Sequence, residues 1–147
     1  MPTRQRVQAF VALVEAARFV EALQQFYHPD ASMQDNQQPP RSGLERLIAD
    51  ERATMARFAS MRTDPVTDLL IDGDKVVIRW KFTFTPAEGP PMVMEELTLQ
   101  HWDGDRIAQE RFFYDPRQTR PPAAGRRVRA GPDGGGKARR ADFSPDR

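Results

Sequence analysis

A chain of 147 residues, 39% hydrophobic and 29% charged, is long enough for one domain with a real core and too short for two. It contains no cysteine, which excludes a disulfide framework, a thiolate nucleophile and a cysteine zinc site. The net charge of +1 conceals an asymmetry: residues 117–147 carry nine Arg and Lys against three Asp, while residues 1–116 carry thirteen basic and eighteen acidic residues.

The chain opens MPTRQRVQAF, which lacks the apolar segment and cleavage site of a signal peptide, so a cytoplasmic location is expected. Val7, Phe10, Val11 and Val14 recur at spacings of three and four, predicting a helix that Thr3 can cap. Phe19, Val20, Leu23 and Phe26 predict a second helix, stopped by Pro29. Residues 31–36 read as a short edge strand and QQPPRSG (37–43) as a loop. Ser42 followed by Glu45 has the form of a capping box, predicting a helix from Gly43 to about Ala59 with Leu44, Leu47, Ile48, Met55 and Phe58 inward.

After Asp64-Pro65 the period falls to two. Val66–Ile71 is a strand, Asp72-Gly73-Asp74 a tight turn, and Lys75–Thr85 a second strand in which Val76, Ile78, Trp80, Phe82 and Phe84 share a face. Met92–Trp102 and Arg106–Tyr114 follow, joined by Asp103-Gly104-Asp105. No apolar run approaches the ~20 residues of a membrane helix, so no membrane association is expected. Residues 117–147, rich in Pro, Gly and Arg with a single aromatic, are expected to be a disordered tail, with the domain boundary at Pro116. The tail is read as a solvated extension rather than a nucleic-acid arm, which is kept only as a second alternative. Helices followed by a strand meander predict an α+β fold.

Strand parity places Met94, Glu96, Thr98, Gln100 and Trp102 on one face. On the last strand it places Ala108, Glu110, Phe112 and Tyr114 on one face and Ile107 on the other. Carboxylates and amides set among aromatics fit a pocket wall better than a plain core face. Asp35, Glu96 and Glu110 are candidate acid/base groups, because an apolar surround raises a carboxyl pKa toward a useful range. Each also has a structural alternative: Glu96 and Glu110 could pair with Arg79 or Arg111 or accept hydrogen bonds from Gln100 and Trp102, and Asp35 could cap the Asn36–Gln38 loop that follows it. His28 and His101 lack metal-ligand spacing, so no metal is expected, and no nucleotide or cofactor motif occurs.

FYHPDASMQDNQQPPRSG (26–43), RWKFTF (79–84) and WDGDRIAQERFFYDP (102–116) resemble the nuclear transport factor 2-like superfamily, in its SnoaL-like and ketosteroid-isomerase-like branches. The resemblance covers residues 3–116. It implies a cone: a strongly curved antiparallel sheet wrapped around the N-terminal helices, a cystatin-like α+β barrel with a cavity at its open end. It also implies a homodimer through the outer sheet face. Family members include isomerases, cyclases, dehydratases, epoxide hydrolases and non-catalytic proteins. Asp35 matches the aspartate that shuttles the proton in ketosteroid isomerases, and Tyr27 matches a tyrosine of their hydrogen-bonded network. The oxyanion-hole Tyr and protonated Asp of those enzymes fall near Phe10 or Val11 and near Thr98, which cannot do the same work. The expected function is therefore a cofactor-independent isomerase, cyclase or lyase acting on a small hydrophobic, oxygenated molecule. Asp35 or Glu110 is its acid/base, and Tyr27, Trp80, Phe82, Glu96, Gln100, Trp102, Phe112 and Tyr114 form its pocket. The alternative is a non-catalytic binding or dimerisation module.

Overall fold

Thr3 starts the first helix, its Oγ1 accepting from the Arg6 amide at 3.0 Å in the computed structural model, which describes residues 1–119. Helix α1 (Arg4–Glu15) buries Val7, Phe10, Val11 and Val14, the stripe its spacing predicts. Helix α2 (Phe19–Phe26) buries Ala22, Leu23 and Phe26. It ends before Pro29, because Tyr27 already begins strand β1 (Tyr27–Asp35). The predicted short edge strand is thus nine residues long, and Pro29 lies inside it rather than ending a helix.

The loop after β1 contains a two-residue strand, β2 (Arg41–Ser42), before helix α3 (Leu44–Ala56). The capping box does not form. Gly43 takes the N-cap position at φ 99°, a backbone angle that favours glycine, and no side chain of a described residue caps the helix. Strands β3 (Ser60–Thr63), β4 (Leu69–Asp72), β5 (Lys75–Thr85), β6 (Met92–Asp103) and β7 (Arg106–Phe113) follow. Of these, β3 has no counterpart among the predicted elements.

The sheet runs β2-β1-β7-β6-β5-β3, with β4 also on β5. β3 pairs with Phe82–Thr85 and β4 with Lys75–Ile78, so the two share one edge of β5 end to end. Most pairs are antiparallel as predicted, but β1 lies parallel to β7, which makes the sheet mixed. It is curved and open, with no pairing between β2 and β3. The inner residues of β5 and β6 join those of α1 and α2 in one core cluster.

Two irregularities set the site. Between the pairs His101–Gln109 and Trp102–Ile107 the register shifts by one, leaving Ala108 as the extra residue. Ile107 therefore turns inward and is fully buried, although strict alternation puts it on the opposite face from Glu110. At the end of β1, Asn36 adopts a left-handed φ of 50°. Its amide donates to Phe112 O at 2.8 Å, and its Oδ1 accepts from the Tyr114 amide at 3.0 Å. Asn tolerates that conformation better than most residues, so a short turn can bind β1 to the exit of β7.

Past Pro116 the chain makes one 3-10 turn, Pro116–Thr119. The Gln118 side-chain amide accepts from Glu95 N at 2.8 Å and donates to Glu95 O at 3.0 Å. It supplies the rung that β7, ending at Phe113, leaves open beside β6. The folded body therefore continues beyond the expected boundary, while residues 120–147, most of the expected tail, lie outside the described residues. No helix among the described residues is long and apolar enough to cross a membrane.

Candidate functional site

The inner sheet face and the helices enclose a cavity of about 460 Å³. Phe10, Leu23, Trp80, Phe82, Phe84 and Phe112 supply much of its apolar wall. On β5 the rings of Trp80 and Phe82 stack 5.8 Å apart, as do those of Phe82 and Phe84. Alternation along one strand produces this row of rings.

Glu110 is 4% exposed and held from two sides. The Tyr27 hydroxyl donates to its Oε1, and Gln100 Nε2 donates to its Oε2 at 2.6 Å. Trp102 Nε1 donates to Gln100 Oε1 at 3.0 Å, which fixes the amide so that its nitrogen faces Glu110. Strand register sets part of this chain: Gln100 on β6 pairs with Glu110 on β7, and Tyr27 stands on β1, the strand on the other side of β7. Burial pushes the Glu110 carboxyl up, while the donors Tyr27 and Gln100 pull it back, leaving it at about 7. Desolvation first, then the neighbouring Glu110 carboxylate, holds the Tyr27 hydroxyl well above its ordinary value.

Glu96, on β6 opposite Trp80, is 7% exposed. No hydrogen bond or ion pair to another described residue holds it, and it lines the cavity. Arg79, a possible partner by sequence, lies on the outer face and pairs with Asp68 and Glu95, each at 3.3 Å. Arg111 instead donates to Asn36 O at 3.0 Å. Burial, then the charges of Glu110, Asp35 and Glu51, pushes Glu96 up to about 8.

Asp35 also lines the cavity, but at its half-buried mouth, where Arg41 Nη2 pairs with its Oδ2 at 3.2 Å. Arg41 Nη1 meanwhile holds Asp50 at 2.9 Å. Tyr114, fixed by Asn36, lines the same side, and its hydroxyl is held protonated by partial burial and by Asp35 and Glu96. Of the residues singled out in the sequence, Tyr27, Asp35, Trp80, Phe82, Glu96, Glu110, Phe112 and Tyr114 surround the cavity. Gln100 and Trp102 do not; with Thr98, which accepts from Trp80 Nε1 at 3.3 Å, they form the layer behind it.

Sequence reasoning missed Glu51 on α3. It lines the cavity, and desolvation raises its carboxyl against the pull of Arg41. The signal was present: Glu51 stands four residues after Leu47 and four before Met55, in the middle of the predicted apolar stripe. Among the described residues no three metal-ligating side chains come together.

The Tyr27–Glu110 bond carries a prediction. Tyr27→Phe removes one of two donors to a buried carboxylate, so Glu110 should titrate higher and the protein should lose about 1.5–3 kcal/mol at neutral pH. Carboxyl carbon NMR across a pH series reads the first effect and urea unfolding the second. An unchanged Glu110 midpoint would show that the hydroxyl contributes nothing to its ionisation.

The sequence model of the SnoaL-like domain family matches residues 7–110. No curated protein matches the sequence. Among solved structures, a nuclear transport factor 2-like protein of unknown function from Burkholderia pseudomallei aligns with 15% identity and a TM-score of 0.68, covering 78% of this chain and 92% of its own. A proposed SnoaL-like polyketide cyclase from Mesorhizobium loti aligns with 22% identity and a TM-score of 0.65, covering 78% and 100%. A protein of unknown function with a cystatin-like fold from Xanthomonas campestris gives 16% identity and a TM-score of 0.69, covering 81% and 95%. At these identities the likeness is one of fold.

Proposed function

The chain belongs to the SnoaL-like domain family, and we propose that it binds a small hydrophobic, oxygenated molecule in the cavity and moves a proton on it with Glu110. One observation carries the reading: a buried carboxyl at about 7, held by two donors, faces an aromatic-walled cavity. A carboxyl balanced near neutrality both takes and returns a proton at little cost, as proton transfer beside a carbonyl requires. Tyr27 and Gln100 fix its orientation, and Tyr114 offers a hydroxyl to ligand oxygen. The reaction class is isomerisation, cyclisation or dehydration through an enol. Asp35 is assigned an orienting role at the mouth, since its oxygen is engaged by Arg41.

Hydrogen–deuterium exchange tests this reading without the natural substrate. Hydrophobic cyclic ketones such as tetralone, incubated in deuterated buffer, should exchange the hydrogens beside the carbonyl faster with the protein than without it. Glu110→Gln should lower the enhancement by about a hundredfold or more. Both Glu110 oxygens already accept hydrogen bonds, which favours a second reading, binding without turnover. Ketones that quench tryptophan fluorescence but never exchange faster than in buffer would select that reading. The proposal also takes the outer sheet face, where Val93, Leu97 and Phe113 are exposed, as the surface for a second copy, which sedimentation would report as a dimer.

A further inference from the structure

We infer that the cavity accepts a ligand whose apolar body carries a protonated amine, and that Glu96 is the group that pairs with the amine. The inference rests on the pocket reading above and narrows its ligand class.

Among the described residues, five acidic ones face the cavity: Asp35 from β1, Asp50 and Glu51 from α3, Glu96 from β6 and Glu110 from β7. Two cations among the described residues face it, Arg41 from β2 and Arg57 at the end of α3. Arg41 is used twice over, by Asp35 and Asp50. Arg57 is exposed, with its guanidinium 5.7 Å from the Phe58 ring centre. Glu110 has two donors, and the hydroxyls of Tyr27 and Tyr114 are uncharged. Glu96 is left as a carboxyl more than nine-tenths buried, unpartnered by any described residue and directed into open space.

Buried polar groups are normally satisfied, and a buried charge is normally paired. An unpaired carboxyl at the wall of a cavity is a group whose partner comes with the ligand. The sign of that partner follows from the surroundings. After burial itself, the groups that oppose ionisation of Glu96 are Glu110, Asp35 and Glu51, all negative. The same field that keeps a proton on Glu96 attracts any other cation placed there. An ammonium group replaces the proton: Glu96 releases it to the buffer, and the pair forms in a site where few waters compete. An anionic ligand meets the same field with the opposite result.

The test compares phenethylamine, phenethyl alcohol and hydrocinnamate, which have similar bodies and differ in charge, by titration calorimetry on the whole chain near neutral pH. The amine should bind about tenfold more tightly than the alcohol, and hydrocinnamate more weakly than either. Its heat should change between phosphate and Tris buffers, reporting proton release. Glu96→Gln, nearly isosteric, should bring the amine down to the level of the alcohol and abolish the buffer dependence. Glu51→Gln should keep the larger part of the preference. An alcohol that matches the amine, a heat independent of buffer, or a preference that survives Glu96→Gln would overturn the inference. Ketones that bind and exchange while the amine gains nothing over the alcohol would leave the pocket reading standing and remove only this one. If neither ketones nor these probes bind, both fall together.

Discussion

Raising the pH from about 5 to about 9 should lower the unfolding free energy by several kcal/mol, and Glu96→Gln should remove most of that loss. The folded protein holds the Glu96 proton up to about 8, whereas the carboxyl ordinarily releases it at 4.5. Between those values the folded state binds more protons than the unfolded chain, so stability falls with rising pH. The contribution is fully present below 4.5 and fully lost above about 8. At about 1.4 kcal/mol per pKa unit, the whole interval corresponds to about 4–5 kcal/mol. Glu110 adds to the fall between 4.5 and about 7, though the two carboxyls share one field and their effects are not independent. Urea midpoints measured across the range for the protein and for Glu96→Gln check this directly. Parallel profiles would mean that Glu96 is solvated in solution.

Phe10→Ala should cost about 3–5 kcal/mol, the range for deleting a buried aromatic side chain. Phe10 is 2% exposed and is the ring on which the others gather. Its centroid lies 5.6 Å from Phe26, 6.0 Å from Tyr27, 6.2 Å from Trp80 and 6.4 Å from Trp102. Those residues come from α2, β1, β5 and β6, so one side chain of α1 ties the helices to the sheet. Phe10 also lines the cavity, and its loss opens space beside Tyr27. Phe10→Leu should cost much less than Phe10→Ala, because more of the volume remains. Equal costs for the two variants, by urea unfolding, would show that the site collapses around the gap.

The parts of this architecture that obey a simple period were legible in the sequence. Alternation through β5 and β6 identified Trp80, Phe82 and Glu96 as neighbours on the inner face, and Glu110 followed from the next strand. Where the backbone departs from a period, the sequence misled. The extra residue at Ala108 brings Ile107 inward, and no alternating pattern announces such a shift. Ser60–Thr63 is short, and only its pairing with Phe82–Thr85 makes it a strand. The parallel partnership of β1 and β7 joins segments about eighty residues apart in the chain, a relation no local signal encodes. Asp35 was identified by its place in a motif, but its ion pair depends on Arg41 returning across the turn at Asn36. Glu51 is the informative exception within an apolar stripe: the helical period marks its position as inward, and only the cavity explains a carboxyl there.

The short turn at Pro116–Thr119 bears on how the molecule is handled. Gln118 pins the chain to β6, and Thr119 stands exposed among the residues lining the cavity. Met1 lies against the β4–β5 turn, its sulfur 3.7 Å from where a side chain on Gly73 would begin. An affinity tag, dye or surface tether joined just after Thr119 would therefore be attached beside the doorway and would interfere with traffic through it. A dye in that position would double as a sensor of occupancy, while immobilisation for binding work belongs at Met1.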